Sequence, residues 1–90
     1  MLKTLENLIK LARERKITPV EGSYTNKLLT DKSLGKAKIL EEIDELIEAI
    51  EKDTNKIHEA ADVFYHLLIY LESNNVKIED VMVELENRKK

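Results

Sequence analysis

The segment from Ile57 to Leu71, IHEAADVFYHLLIYL, limits what this chain can fold into more than any other feature. Surface helices show one apolar stripe and one charged face. This segment is apolar on nearly every side, with a main stripe of Ala60, Phe64, Leu67 and Leu71. Yet it also carries Glu59, Asp62 and His66, and Tyr65 and Tyr70 read most simply as packing residues. A helix greasy all round must be covered from several directions, which a monomer of four or five short helices can hardly do. The expected remedy is a second copy, a homodimer with this helix at or near its interface.

The rest of the chain agrees with a helical fold. Only 2 Gly and 1 Pro interrupt 90 residues, and no alternating pattern of useful length marks a strand. With 37% charged and 42% hydrophobic residues, the expectation is one ordered domain over residues 1–90. There is no cysteine, so disulfides and thiolate metal sites are excluded. The net charge of −3 and scattered basic residues argue against a nucleic-acid groove. No apolar run reaches a membrane span, and Glu6 and Glu14 make the amphipathic N-terminus a core helix rather than a targeting peptide. A cytoplasmic protein without nucleic-acid or membrane partners is the expectation.

Apolar spacing places a first helix at about Thr4 to Lys16, ended by Pro19, which disfavours helical angles at Thr18. Val20 to Ser33 reads as a loop with a short helical piece, Gly22 and Ser23 turning into YTNKLL. A long helix follows from about Leu34 to Lys52, with Ile39, Ile43, Leu46, Ile47 and Ile50 as its stripe. Asp53, Thr54 and Asn55 supply the break and the next cap. SNNV turns into a last helix from Ile78 to about Arg88.

At 100° per residue, Glu42 and Glu45 share one flank of the third segment, with Lys38 between them in angle. Glu59 and Asp62 form the same i, i+3 pair on the next helix, with His66 one turn beyond, away from the main stripe. A short connection makes these helices antiparallel neighbours. Neither pair is expected to serve a helix dipole. Four converging carboxylates repel unless a cation lies between them, and hard oxygen donors suit Mg²⁺, with Mn²⁺ able to substitute. The plainer reading stands for Glu41, Glu48 and Glu51, a solvated face with Glu48 and Lys52 as an ordinary i, i+4 pair. A lone histidine such as His66 is more often a hydrogen-bonded structural residue than a ligand.

EEIDE (Glu41 to Glu45) followed by EAAD (Glu59 to Asp62) resembles the EExxE…ExxD signature of the all-α, MazG-like nucleoside triphosphate pyrophosphohydrolases. SYTNKLL (Ser23 to Leu29), Lys38-Ile39, EAADVFYHLLIYL and EDVMVELENR sharpen the likeness to the phosphoribosyl-ATP pyrophosphohydrolases of histidine biosynthesis, over Gly22 to Arg88. Two departures are Leu40, where the family usually has Gly, and Lys77, where it commonly has Ser or Thr. Leu40 is expected to face the core, and Lys77 to weaken the last helix cap.

The resemblance implies an all-α bundle completed by homodimerisation and hydrolysis of phosphoribosyl-ATP to phosphoribosyl-AMP and pyrophosphate. It implies Mg²⁺ held by Glu42, Glu45, Glu59 and Asp62, with Glu41 as the residue orienting or deprotonating the water. Ser23, Tyr24, Thr25, Lys27, Lys38 and His66 are the implied substrate contacts. A 90-residue chain has no room for the cyclohydrolase fused to many such domains, so a stand-alone form is implied, with a separate cyclohydrolase as a further partner. Two alternatives remain open at this point. One is a housecleaning (d)NTP pyrophosphohydrolase with the same metal site, and the other is a non-enzymatic helical interaction module.

Overall fold

The computed structural model describes residues 2–89. Five helices follow one another: α1 (Lys3–Ile17), α2 (Tyr24–Thr30), α3 (Lys32–Lys52), α4 (Lys56–Ser73) and α5 (Ile78–Asn87). Their ends have local causes. Gly22 takes φ +79°, a left-handed turn that favours glycine, and Ser23 then caps α2 by accepting the Asn26 N–H. Asp31 closes α2 through its own N–H and caps α3 through Oδ1, which accepts the Leu34 N–H at 3.0 Å. The short helical piece expected in the loop is therefore a full element, and Ser33 belongs to α3 rather than to the loop.

Asp53 and Asn55 adopt left-handed angles and reverse the chain between α3 and α4. The two helices run antiparallel, since the start of α3 meets the end of α4. A Cβ on Gly35 would lie 3.0 Å from the Tyr70 ring. Asn55 begins α4 without a side-chain cap, and Lys77 likewise leaves α5 uncapped.

The core is small. Ala12 of α1, Leu28 and Leu29 of α2 and Ile69 of α4 form its centre, with Leu8, Leu34 and Tyr65 packed around them. The stripe expected to line the core on α3 does not do so. Ile43, Ile47 and Ile50 are exposed, and Leu40 is 58% exposed rather than core-facing. Gly35, Glu42 and Ala49 are the buried residues of α3 instead. Phe64 and Leu67 of the α4 stripe are also exposed. The reason is register: α3 turns its small and acidic flank toward α4, which leaves the large aliphatic flank uncovered.

An ion network ties α1 to the end of α4 and to α5. Arg13 Nε donates to Glu72 at 2.9 Å, and its two terminal nitrogens donate to Glu79 at 2.6 and 2.7 Å. Glu72 is buried and α5 buries no residue, so Arg13 both compensates a buried charge and pins α5. Breaking a buried pair costs roughly 3–5 kcal/mol. Because Arg13 is partly exposed, Arg13→Met is expected to cost about 2 kcal/mol in urea unfolding. Arg13 also holds the Glu79 carboxyl down at about 2. A depressed carboxyl contributes stability above its unfolded value of roughly 4.3, and loses it as the pH falls toward the folded value. Wild type is expected to lose stability between about pH 5 and 2 more steeply than Glu79→Gln in parallel urea melts. Among the described residues, no helix is long and apolar enough to cross a membrane.

Candidate active site

The acid centre sits between α3 and α4. Glu42, Glu45 and Glu59 each offer a carboxylate oxygen, and these atoms lie within 4.8 Å of one another. His58, Glu59 and Asp62 form a second set at the same limit, so Glu59 is common to both. Asp62 thus joins the centre through Glu59, its Oδ2 3.4 Å from His58 Nε2. Glu59 lies in the first turn of α4, where the helix dipole favours an anion, contrary to the expectation that dipoles play no part. His58 carried no sequence signature of its own. Its i, i+4 spacing to Asp62 was the available signal.

The electrostatics are unfavourable for anions alone. Glu42 Oε2 and Glu59 Oε2 are both buried with no hydrogen-bond partner. Burial, then the Glu45 carboxylate, then Asp62 push the Glu59 carboxyl up, while His58 draws it down. The Glu42 carboxyl is pushed up by burial and by Glu45, against a lowering influence of His66. A site that raises its own carboxyls favours either protons or a cation. These oxygen donors, two of them buried and unpartnered, fit a hard divalent ion.

Lys38 already supplies one positive charge. Its Nζ lies 3.2 Å from Glu41 Oε2 and 3.7 Å from Glu42 Oε1. Glu41 is exposed at the rim, paired with Lys38 and outside both converging sets. Glu48 and Lys52 form the ordinary surface pair at 2.6 Å.

The expected substrate contacts fall into two groups. Lys27 is exposed, and with Tyr24 it lines a hollow of about 630 Å³ whose apolar wall is Pro19 and Val20. Thr25 and His66 are buried, and their polar atoms are engaged within the protein. Thr25 Oγ1 meets the Tyr65 hydroxyl at 2.5 Å. His66 Nδ1 lies 2.7 Å from the Asp62 main-chain oxygen, which only accepts, so Nδ1–H donates there. In the neutral ring Nε2 then accepts from the Tyr24 hydroxyl at 3.0 Å. Ser23 Oγ accepts from Arg15 at 2.7 Å as well as capping α2. Tyr65, read from the sequence as packing, bonds to a polar residue as well.

The family model for phosphoribosyl-ATP pyrophosphohydrolase matches residues 2–89. A phosphoribosyl-ATP pyrophosphatase of Clostridium acetobutylicum is 44% identical over 89 residues, covering 93% of this chain and 79% of its own length. One from Halobacterium salinarum is 36% identical over 91 residues, covering 94% of this chain and 96% of its own. The histidine biosynthesis bifunctional protein HisIE of Pyrococcus furiosus is 45% identical over 93 residues, and the chain spans only 42% of it. No solved structure matches. The chain, with its acid centre carried on two antiparallel helices, belongs to the phosphoribosyl-ATP pyrophosphohydrolase family.

Proposed function

We propose that this chain hydrolyses phosphoribosyl-ATP to phosphoribosyl-AMP and pyrophosphate, a step of histidine biosynthesis, with Mg²⁺ as its cofactor and the cytoplasm as its place. The observation that carries this reading is the pair of buried, unpartnered oxygens on Glu42 and Glu59, in a cluster where Glu42, Glu45 and Glu59 each bring a carboxylate oxygen within 4.8 Å of the others. Glu42, Glu45, Glu59 and Asp62 would hold the ion, and His58 stands beside the last two. When bound, Mg²⁺ supplies neutralisation of the charge developing on the leaving pyrophosphate. Lys38, beside Glu41 and Glu42 at the rim, is placed to contact a phosphate, and Lys27 offers a second cation at the hollow. Glu41 is the carboxylate at the rim that would orient or deprotonate the water.

A second copy of the chain is proposed as the cover for the apolar flank of α3 and α4, supported by the exposure of Leu40, Ile43, Ile47, Phe64 and Leu67. Relatives that carry this domain within longer histidine-biosynthesis proteins support a separate cyclohydrolase as a further partner.

Purified protein with Mg²⁺ should release pyrophosphate from phosphoribosyl-ATP in preference to each member of a panel of deoxynucleoside triphosphates. Preference for the deoxynucleotides would make this a housecleaning enzyme. Hydrolysis of none would leave the helical interaction module.

A further inference from the structure

Two adjacent rungs join α2 to α4, and the proposed chemistry uses neither of them directly. The Tyr24 hydroxyl bonds to His66 Nε2 at 3.0 Å, and Thr25 Oγ1 bonds to the Tyr65 hydroxyl at 2.5 Å. Consecutive residues of one helix thus meet consecutive residues of another. Successive side chains leave a helix roughly 100° apart, so two such rungs fix the rotation of α2 about its axis as well as its distance from α4. The rings reinforce this, with Tyr24 stacked on Tyr65 at 6.4 Å and His66 edge-on to both.

Such a lock matters because α2 has only 7 residues. A helix that short does not hold itself together in water, so tertiary bonds decide where its outward face points. Leu28 and Leu29 anchor its inner side in the core. Apolar contacts alone are not directional, and the rungs supply the direction. The outward face carries the Lys27 amine and the half-open Tyr24 ring, which border the hollow. At the far end of the first rung, His66 is 93% buried by its 7% exposure and donates Nδ1–H to the main-chain oxygen of Asp62. One continuous chain of bonds therefore runs from α2 through Tyr24 and His66 to the turn of α4 that presents Asp62.

We propose that Tyr24 and His66 are positioning residues that set the substrate-facing side of α2 at a fixed angle to the acid centre, with Thr25 and Tyr65 as the second rung. This deepens the reading of the acid centre as a polyphosphate site and rests on it. The consequence is a specificity device: the pair governs how well the part of the nucleotide remote from the reacting phosphates is held, while the acids govern the reaction itself.

Tyr24→Phe keeps the ring and the packing but removes the hydroxyl, and His66→Asn keeps a donor to the Asp62 oxygen but shortens away from Tyr24. For phosphoribosyl-ATP, each variant should raise KM about tenfold with kcat within about twofold, and the double variant should be no worse than either alone. His66→Gln, which can reach Tyr24 again, should recover most of the loss. A readout free of catalysis comes from amide hydrogen exchange. Tyr24→Phe should speed exchange across Asn26 to Leu29 about tenfold and leave the amides of α3 unchanged. Fully multiplicative effects of the two substitutions, a fall in kcat at constant KM, or unchanged α2 exchange would each overturn the positioning role alone. Wild-type protein that hydrolyses no phosphoribosyl-ATP would overturn the functional reading, and the positioning role with it.

Discussion

Glu42→Gln is expected to melt higher than wild type in the absence of metal and to hydrolyse phosphoribosyl-ATP at least about a hundredfold more slowly in its presence. Both effects come from one carboxylate. Glu42 is only 6% exposed, its Oε2 has no partner, and Glu45 of its own helix and Glu59 of α4 each bring an oxygen within 4.8 Å of it. A buried, unsatisfied acceptor costs roughly 1–3 kcal/mol, and more when it is charged. A neutral amide of the same shape removes the repulsion and can donate to Glu45. A gain of about 1 kcal/mol corresponds to about 4–8 °C in a domain of this size. Thermal melts with and without Mg²⁺ check the pair of effects. Mg²⁺ should raise the wild-type melting temperature and leave that of Glu42→Gln nearly flat. A variant that melts lower than metal-free wild type, and that Mg²⁺ stabilises equally, would remove the ion from this site.

The same repulsion gives the metal-free protein a pH signature. Burial and neighbouring carboxylates raise Glu42 and Glu59 in the folded state. A raised carboxyl binds its proton more tightly when folded than when unfolded, so its contribution to stability is present at low pH and lost as the pH rises through the folded value. Acidifying metal-free wild type from neutrality to about pH 5 should therefore stabilise it through these two groups. Glu79 works in the opposite sense at lower pH, where its pairing with Arg13 is lost. Saturating Mg²⁺ should abolish the first of these trends and leave the second.

The acids were legible in the sequence because helix periodicity alone fixes which of them share a face. Glu42 with Glu45, and Glu59 with Asp62, needed nothing beyond an i, i+3 spacing and a short antiparallel connection. The helix boundaries were legible for the same local reason, with Pro19, Gly22 and the Asp53–Asn55 turn each written in residue chemistry. Two things were not. Periodicity names an apolar stripe without saying what covers it, so Ile43 and Ile47 read as core and lie on the surface. Hydroxyl and imidazole groups carry no periodic signal either. The bonds of Thr25 to Tyr65 and of Tyr24 to His66 join residues some forty positions apart. They depend on how a seven-residue helix docks, which no local rule specifies.

Ile47→Glu and Phe64→Asp should each turn a dimer of this 10.5 kDa chain into a monomer. Ile47 is 50% exposed, Phe64 55%, and Leu40 58%, while among the described residues only Leu28 and Ile69 are large side chains fully buried in the monomer. A core this small leaves a chain of 90 residues marginal by itself. The uncovered flank is also on the side of the hairpin away from the acids. Ile43 and Ile47 lie roughly 100–140° around α3 from Glu42, and Phe64 lies roughly 160° around α4 from Asp62. A second copy packed there would complete a helical bundle without obstructing the site. A carboxylate placed in that contact would be desolvated without a partner, at a cost of about 4 kcal/mol, or about a thousandfold in the dissociation constant. Sedimentation across a concentration series reads this directly. Wild type should run at twice the chain mass and both variants at once that mass, with lowered melting temperatures. Ile17→Asp should behave as wild type, because Ile17 is 83% exposed at the end of α1, on neither helix of that flank. A wild type that stays monomeric at high concentration, with both variants melting alongside it, would leave the apolar flank without a second copy to cover it.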